Sequence, residues 1–414
     1  SYAPTFENTI EAMERSGQLL DKVTTVFFNL LSAETTDFLD ELAQKMSPIL
    51  SEHSNNIMLN EGLFKRVKAV YDDHEADLFA RLNPEQKMLL KNTYEGFVRH
   101  GALLTDEQKE QLRRITAELG VLSLQFSQNK LKDTNDFILH ITDEADLEGL
   151  PESAIDLARQ TAKEREMEGY VFTLQAPSYI PFLTYSARRE LREKMFRAYN
   201  TLCTHDNENN NVAIVGKIVN LHREMAQLLG YDTYADYALT RRMAEKKENV
   251  YQLLNQLIDA YLPSAKKEVE EVEKVYNEQL HDNKDGFMPW DFSYYANKLK
   301  EERFNINSEM LRPYFELSNV KKGVFGLATK LYGITFHPNT EAPVYHPDVE
   351  VFDVLDKDGS FLALLYCDFH PRASKKSGAW MTSFKEQWTE PDGTNSRPQV
   401  SIVMNLSKAT DTKP

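Results

Sequence analysis

Histidine spacing is the first place to look for hydrolytic chemistry, because two imidazoles one helical turn apart can hold a zinc ion while an intervening Glu activates its water. The ten histidines fall at 53, 74, 100, 140, 205, 222, 281, 337, 346 and 370, and none pairs with another at i and i+4. His74-Glu75-Ala76-Asp77-Leu78 begins that pattern but puts leucine where the second ligand belongs. His222 lies in a helical pattern, and His337 and His346 are each followed by proline, so these read as structural or surface side chains. Gly-x-Ser-x-Gly and Gly-rich phosphate loops are missing, which weakens serine-hydrolase and nucleotide-binding readings. Asp356-Lys357-Asp358-Gly359 lacks the alternating oxygen ligands and downstream Glu of a calcium loop. The two cysteines, Cys203 and Cys367, form no disulfide framework and are expected to be buried thiols, which fits a reducing compartment. Local patterns therefore assemble no reaction centre.

The elements that would position a site are mostly helical. Leu112, Ile115, Leu119, Leu122 and Phe126 recur at spacings of three and four, and Thr105 with Gln108 supplies a capping-box start. A second amphipathic helix is predicted after Pro263-Ser264, with Val269, Val272, Val275 and Leu280 on its apolar side. Strand signals gather at Phe137 to Ile141 with Tyr170 to Leu174, and at Val349 to Leu355 with Phe361 to Tyr366, the second pair joined by a turn at Asp356–Gly359. Cys203 to Asn211, His337 to Pro347 and Pro371 to Pro398 read as loops. A boundary near Thr204 divides a helical half, 1–204, from a second helical half, 205–414, that gains a small sheet after Val344.

Composition excludes several classes. With 41% hydrophobic residues the chain can bury a sizeable core, and no apolar run approaches the ~18 residues of a membrane span. Sixty-four acids against forty-eight bases give a net charge of −16, which repels phosphate backbones and anionic lipid, so neither nucleic acid nor membrane is an expected partner. The basic pairs Arg113-Arg114, Arg188-Arg189, Lys246-Lys247 and Lys375-Lys376 read as solvated surface. The chain opens Ser1-Tyr2-Ala3-Pro4 without methionine, so trimming is expected and any targeting segment lies out of sight.

Several blocks, taken in order, carry a resemblance. They are Pro4 to Ile10 with Glu14 to Gly17; Ala187 to Arg192; Leu228 to Tyr231 leading through Tyr234-Ala235 to Met243-Ala244; and Pro289-Trp290-Asp291 before Tyr294-Tyr295. Leu311 to Phe315 follow, then Leu331 to Ile334, His346 to Val349, Asp368 with Arg372, and Gly378-Ala379-Trp380. Singly each has an ordinary structural reading: Trp290, Tyr294, Tyr295, Tyr314 and Phe315 as core packing, Gly230 and Gly333 as left-handed helix ends. Their shared order resembles the thimet oligopeptidase family of zinc peptidases, and within it the peptidyl-dipeptidase branch.

The resemblance implies a mainly α, neurolysin-like (zincin-like) architecture with a small β-sheet in the C-terminal third. It implies a zinc enzyme that releases C-terminal dipeptides from short peptides, with endo-acting oligopeptidase as the neighbouring alternative and a non-catalytic peptide- or protein-binding module as a third. The family's His-Glu-x-x-His helix follows a block like Val400 to Pro414, so zinc is expected in the parent enzyme and none in these 414 residues, which should be inactive without the missing C-terminal catalytic part. The resemblance places Gly378, Ala379 and Trp380 on or beside an edge strand that takes the substrate backbone; a glycine bend with a buried Trp remains the alternative. Phe369-His370-Pro371 departs from the family pattern, so no substrate role is assigned to Arg372. A cytoplasmic setting is expected, with the periplasm open.

Overall fold

The computed structural model describes residues 2–73, 81–279, 286–390 and 392–409. His74, His281, Leu280 and 411–414 lie outside them. The chain is mainly α, with a small mixed sheet in its C-terminal part. It divides into two compact units, each gathered from separated segments: Ser1–Thr24, Asp37–Asn129 and Asn210–Gln256 form one, and Thr25–Thr36, Lys130–Asn209 and Leu257–Pro414 the other.

In the first unit the chain enters through a turn of wide helix, Phe6–Glu11, started by a reciprocal Thr5–Asn8 cap. Helix α1 (Gln18–Ala33) begins in this unit and ends in the other, and α2 (Asp37–Met58), α3 (Glu61–Asp72) and α4 (Pro84–Arg99) follow. Helix α4 opens on an Asn83–Gln86 capping box with Pro84 in the first turn, where its missing N–H costs nothing. Phe6, Ile10, Phe64, Val67, Val70, Leu90 and Phe97 make the core, with Phe64 6.0 Å from both Phe97 and Tyr94. Helix α5 (Asp106–Asp136) starts as predicted: Thr105 N–H donates to Gln108 Oε1 at 3.0 Å and Gln108 N–H to Thr105 Oγ1 at 3.3 Å. Leu112, Ile115 and Leu122 are buried on its inner face.

The second unit has a helical part and a sheet part. Strands β1 (Leu139–Ile141) and β2 (Tyr170–Phe172) pair antiparallel, where the sequence carries strand signals, and are flanked by α6 (Glu152–Glu164), α7 (Ala176–Tyr185) and α8 (Arg189–Asn200). Helices α9 (Val212–Leu228) and α10 (Tyr234–Leu239) belong to the first unit, and α11 (Lys247–Gln279) runs from one unit into the other. The predicted helix start at Pro263 is corrected: Pro263 lies inside α11. Residues around it are exposed, so the carbonyl that proline leaves without its helical partner faces water. Val272 and Val275 are buried, whereas Val269 is exposed.

Helix α12 (Pro289–Phe304) and α13 (Leu317–Tyr332) lead into a five-stranded sheet ordered β3-β4-β5-β7-β6. Its strands are β3 (Thr335–Pro338), β4 (Glu350–Leu355), β5 (Phe361–Asp368), β6 (Trp380–Lys385) and β7 (Gln399–Val403); all neighbours are antiparallel except β5 and β7. The β4–β5 hairpin turns where expected, with Gly359 at φ +82° and its N–H donating to Asp356 O at 2.9 Å. Gly230 and Gly333 do adopt positive φ at helix ends. The sheet begins before Val344, because His337 and Pro338 belong to β3, and the supposed loop 371–398 contains β6. Both faces are covered: Phe325 of α13 stacks on Phe336 at 4.1 Å and meets Phe352, while Tyr345 and Phe384 pack with Val349, Val351 and Tyr366. Trp290 and Tyr295 are core residues as read, but Tyr314 and Phe315 are 78% and 69% exposed, since no described residue covers them.

Candidate functional site

Strand β6 stands at the end of the sheet order, with β7 as its one neighbour among the described residues. Trp380 opposes Val403, Met381 opposes Ile402, Thr382 opposes Ser401 and Ser383 opposes Val400. The Ser383 carbonyl accepts from Asn29 Nδ2 of α1 at 3.0 Å, and Thr382 Oγ1 donates to Asn29 Oδ1 at 2.7 Å. Backbone groups alternate sides along a strand, so the N–H and C=O of Met381 face the same outward side as those of Ser383. Helix α1 therefore covers the edge at 382–383 and leaves the outward side of Met381 uncovered among the described residues. Gly378, at φ +103°, has no atom within 4 Å of where a Cβ would stand; Ala379 is exposed, Trp380 half-buried and Met381 68% exposed. A side chain at 378 would meet backbone strain rather than a clash.

The loop from β5 to β6 is tied down along its length. Asp368, fully buried at the end of β5, receives both ends of Arg372's fork at 2.8 Å, the Tyr345 hydroxyl at 2.8 Å and Lys375 Nζ at 2.9 Å. Arg372 also bonds Glu34 and the Ala33 carbonyl. All three nitrogens of this guanidinium are thus bonded within the fold, which gives Arg372 a structural task. Lys375 Nζ donates further to the Asp368 carbonyl at 3.0 Å and the His370 carbonyl at 2.7 Å. Thr35 N–H reaches Ser374 O, Lys376 N–H reaches Ser32 O, and Asn135 Nδ2 reaches Ala373 O. Asn405 Nδ2 holds the carbonyls of Lys376 and Gly378 at 3.1 and 2.7 Å.

Electrostatics follow from this enclosure. Burial alone would raise the Asp368 carboxyl, but hydrogen bonds from Arg372 and Lys375 outweigh it and hold the group below the usual carboxylate range. Burial lowers Lys375 despite Asp368, and burial with the Asp368 charge raises the Tyr345 phenol, which stays a neutral donor. The charges balance: Asp368 and Glu34 against Arg372 and Lys375. Cys367 is a buried free thiol pushed up to about 12 by desolvation, and Cys203 is likewise free and buried. Burial raises Cys203 as well, and a raised thiol is a poorer nucleophile at neutral pH.

A second buried ion cluster supports the helical part. Asp291, fully buried in the first turn of α12, takes Arg189 through Nε and Nη2 and Arg192 through Nη2 at 2.9 Å. Two basic pairs read as solvated surface are corrected here: Arg189 and Lys375 each turn inward onto a buried aspartate, which supplies the charge that lets a cation leave water. Lys247 keeps to the surface reading, bonding Asp236 at 3.1 Å. Tyr345 and Glu34 carry no signal in the sequence and Lys375 reads there only as surface, because Lys375 and Tyr345 meet at Asp368, and Glu34 meets Arg372, across the fold rather than at any spacing.

Histidines remain dispersed. His370 Nδ1 lies 3.4 Å from Leu406 O, His346 Nδ1 accepts from Asp348 N–H at 3.1 Å, and His222 packs edge-on to Tyr234. Among the described residues no group of three or more His, Cys, Asp or Glu is placed to hold a metal ion.

Residues 182–414, which contain the whole five-stranded sheet and the Asp291 cluster, match the family described as Peptidase family M3. The chain belongs to peptidase family M3. Over 414 aligned residues this M3 chain is 33% identical to oligopeptidase A of Escherichia coli (strain K12), covering 99% of itself and 60% of that protein. It is 35% identical over 415 residues to the dipeptidyl carboxypeptidase of the same strain, again 99% of itself and 60% of the relative. With the organellar oligopeptidase A (chloroplastic/mitochondrial) of Arabidopsis thaliana it shares 31% over 426 residues, 53% of that protein. The M3 chain thus spans between half and two thirds of these relatives. No helix among its described residues is long and apolar enough to cross a membrane.

Proposed function

We propose that this chain is the N-terminal portion of a zinc-dependent peptidyl-dipeptidase that trims dipeptides from the C-terminus of short peptides, and that it supplies the strand along which the substrate lies. The carrying observation is the start of β6, a sheet-edge strand whose Met381 is exposed after the exposed Gly378–Ala379 approach, with α1 closing the edge at 382–383. An extended peptide added to such an edge is held through main-chain hydrogen bonds, so affinity comes with little sequence preference. Gly378 lets a backbone approach closely, Ala379 adds little bulk, and Trp380 walls one side. A dipeptidyl carboxypeptidase among the relatives favours the dipeptidase reading, and the relatives named oligopeptidase A favour endo-acting cleavage as the second reading.

The remaining part of the protein would complete the site, and the 414 residues alone are proposed to be inactive. The cytoplasm is the proposed compartment, in keeping with two free thiols. Mass spectrometry of a decapeptide incubated with zinc and either this chain or its longer natural form tests the reading. Stepwise loss of two C-terminal residues by the longer form alone is expected. Internal cuts would replace the dipeptidase reading with the endo-acting one, hydrolysis by the 414 residues would overturn their inactivity, and no hydrolysis by either form would overturn both peptidase readings.

A further inference from the structure

Lys375 is a fully enclosed ammonium on a connecting loop, where a hydrophobic residue of similar length would serve packing at least as well. An ionic centre adds directional constraint. The ammonium has three protons, and it meets three acceptors: Asp368 Oδ1, Asp368 O and His370 O. Asp368 in turn gathers Arg372 and Tyr345, and its carbonyl also accepts from Met404 N–H at 2.7 Å, which ties the pair to the chain leaving β7. Only the residues from Lys376 to Ala379 separate this anchor from Trp380. Along them Lys376 N–H, Lys376 O and Gly378 O are already bonded, to Ser32 and Asn405. Displacing Lys375 would therefore shift the whole approach to β6 rather than one side chain.

We infer that Lys375 and Asp368 are the positioning pair of the peptide-accepting edge, fixing the register and height at which 378–381 meet a substrate backbone without touching it. The inference rests on the edge-strand reading proposed above. Its test is a binding titration of the 414-residue chain labelled with 5-fluorotryptophan, which gives one fluorine resonance for each of Trp290, Trp380 and Trp388. The probe is an unstructured octapeptide of glycine, alanine and serine. In the unsubstituted chain the peptide shifts the Trp380 resonance; if it does not, the edge-strand reading fails and this inference with it. Lys375→Met is expected to weaken binding about tenfold and to split or broaden the Trp380 line, with Trp290 unchanged. Tyr345→Phe, which removes one bond to Asp368 and keeps every charge, is expected to weaken binding two- to threefold, and it carries the test if Lys375→Met does not fold. Phe182→Leu, a core change in the helical part of the same unit, should leave affinity unchanged. Should the peptide bind both loop variants as it binds the original, the positioning role is overturned while the edge-strand reading stands. Equal weakening by Phe182→Leu would reduce the pair to a general contributor to stability and overturn the inference as well.

Discussion

Single residues carry unequal weight here, and two aspartates carry the most. Asp291 neutralises Arg189 and the 1%-exposed Arg192, so Asp291→Asn leaves a buried cation without its partner. A loss of roughly 3–5 kcal/mol is expected, read from urea unfolding. Asp368 adds a pH dependence whose sign is fixed by its lowered pKa. Folded, the carboxyl binds its proton at lower pH than in the unfolded chain, where the value is about 3.9. Its stabilisation is therefore complete above about pH 4 and disappears as pH falls through the depressed folded value. Melting temperature should drop steeply in that acid window for the original chain, and Asp368→Asn should flatten the drop while lowering stability at neutral pH. An unchanged acid slope in the variant would count against the assignment. Neither cluster was legible in sequence, because Arg189 and Lys375 look like any surface pair until the fold supplies an aspartate from another element.

At the scale of elements the opposite held for much of the chain. Helix α5 and the β4–β5 hairpin were readable because their signals are local: a Thr105–Gln108 cap, an apolar repeat, and a glycine at the turn. Local patterns hide strand β6 inside a stretch punctuated by Pro371, Gly378, Gly393 and Pro398, where only the family resemblance suggests a strand, and its pairing with β7 is set by tertiary structure, not by its own composition. Pro263 misled for a related reason, since a helix can carry a proline where the freed carbonyl is hydrated. The placing of β6 makes one sharp prediction. Met381→Pro removes an N–H that faces outward, so the β6–β7 ladder should survive, with stability within about 1 kcal/mol of the original. Octapeptide binding should nonetheless fall at least fivefold, because that N–H is a donor the peptide backbone would use. A melting temperature that collapses with binding would mean that Met381 faces β7 instead.

For the whole molecule, the opposing quantities are a net charge of −16 and an unusual amount of exposed apolar side chain. Along α11, Tyr251, Leu254, Ile258 and Tyr261 recur at helical spacing and are all exposed; Val324, Leu327 and Leu331 do the same on α13. A free monomer seldom presents such stripes. Left uncovered, the stripes drive self-association and the net charge opposes it. Which wins depends on salt, because like-charge repulsion is screened beyond ~8 Å at physiological ionic strength while apolar burial is not weakened. The 414 residues should therefore sediment mainly as monomer at about 0.01 M salt, where the screening length is ~30 Å, and as larger species at about 0.5 M sodium sulfate. Leu254→Glu with Ile258→Lys, which interrupts the α11 stripe at no net cost in charge, should shift the sulfate sample back toward monomer. Sedimentation as a monomer by the unsubstituted chain in both salts would show that the stripes do not associate.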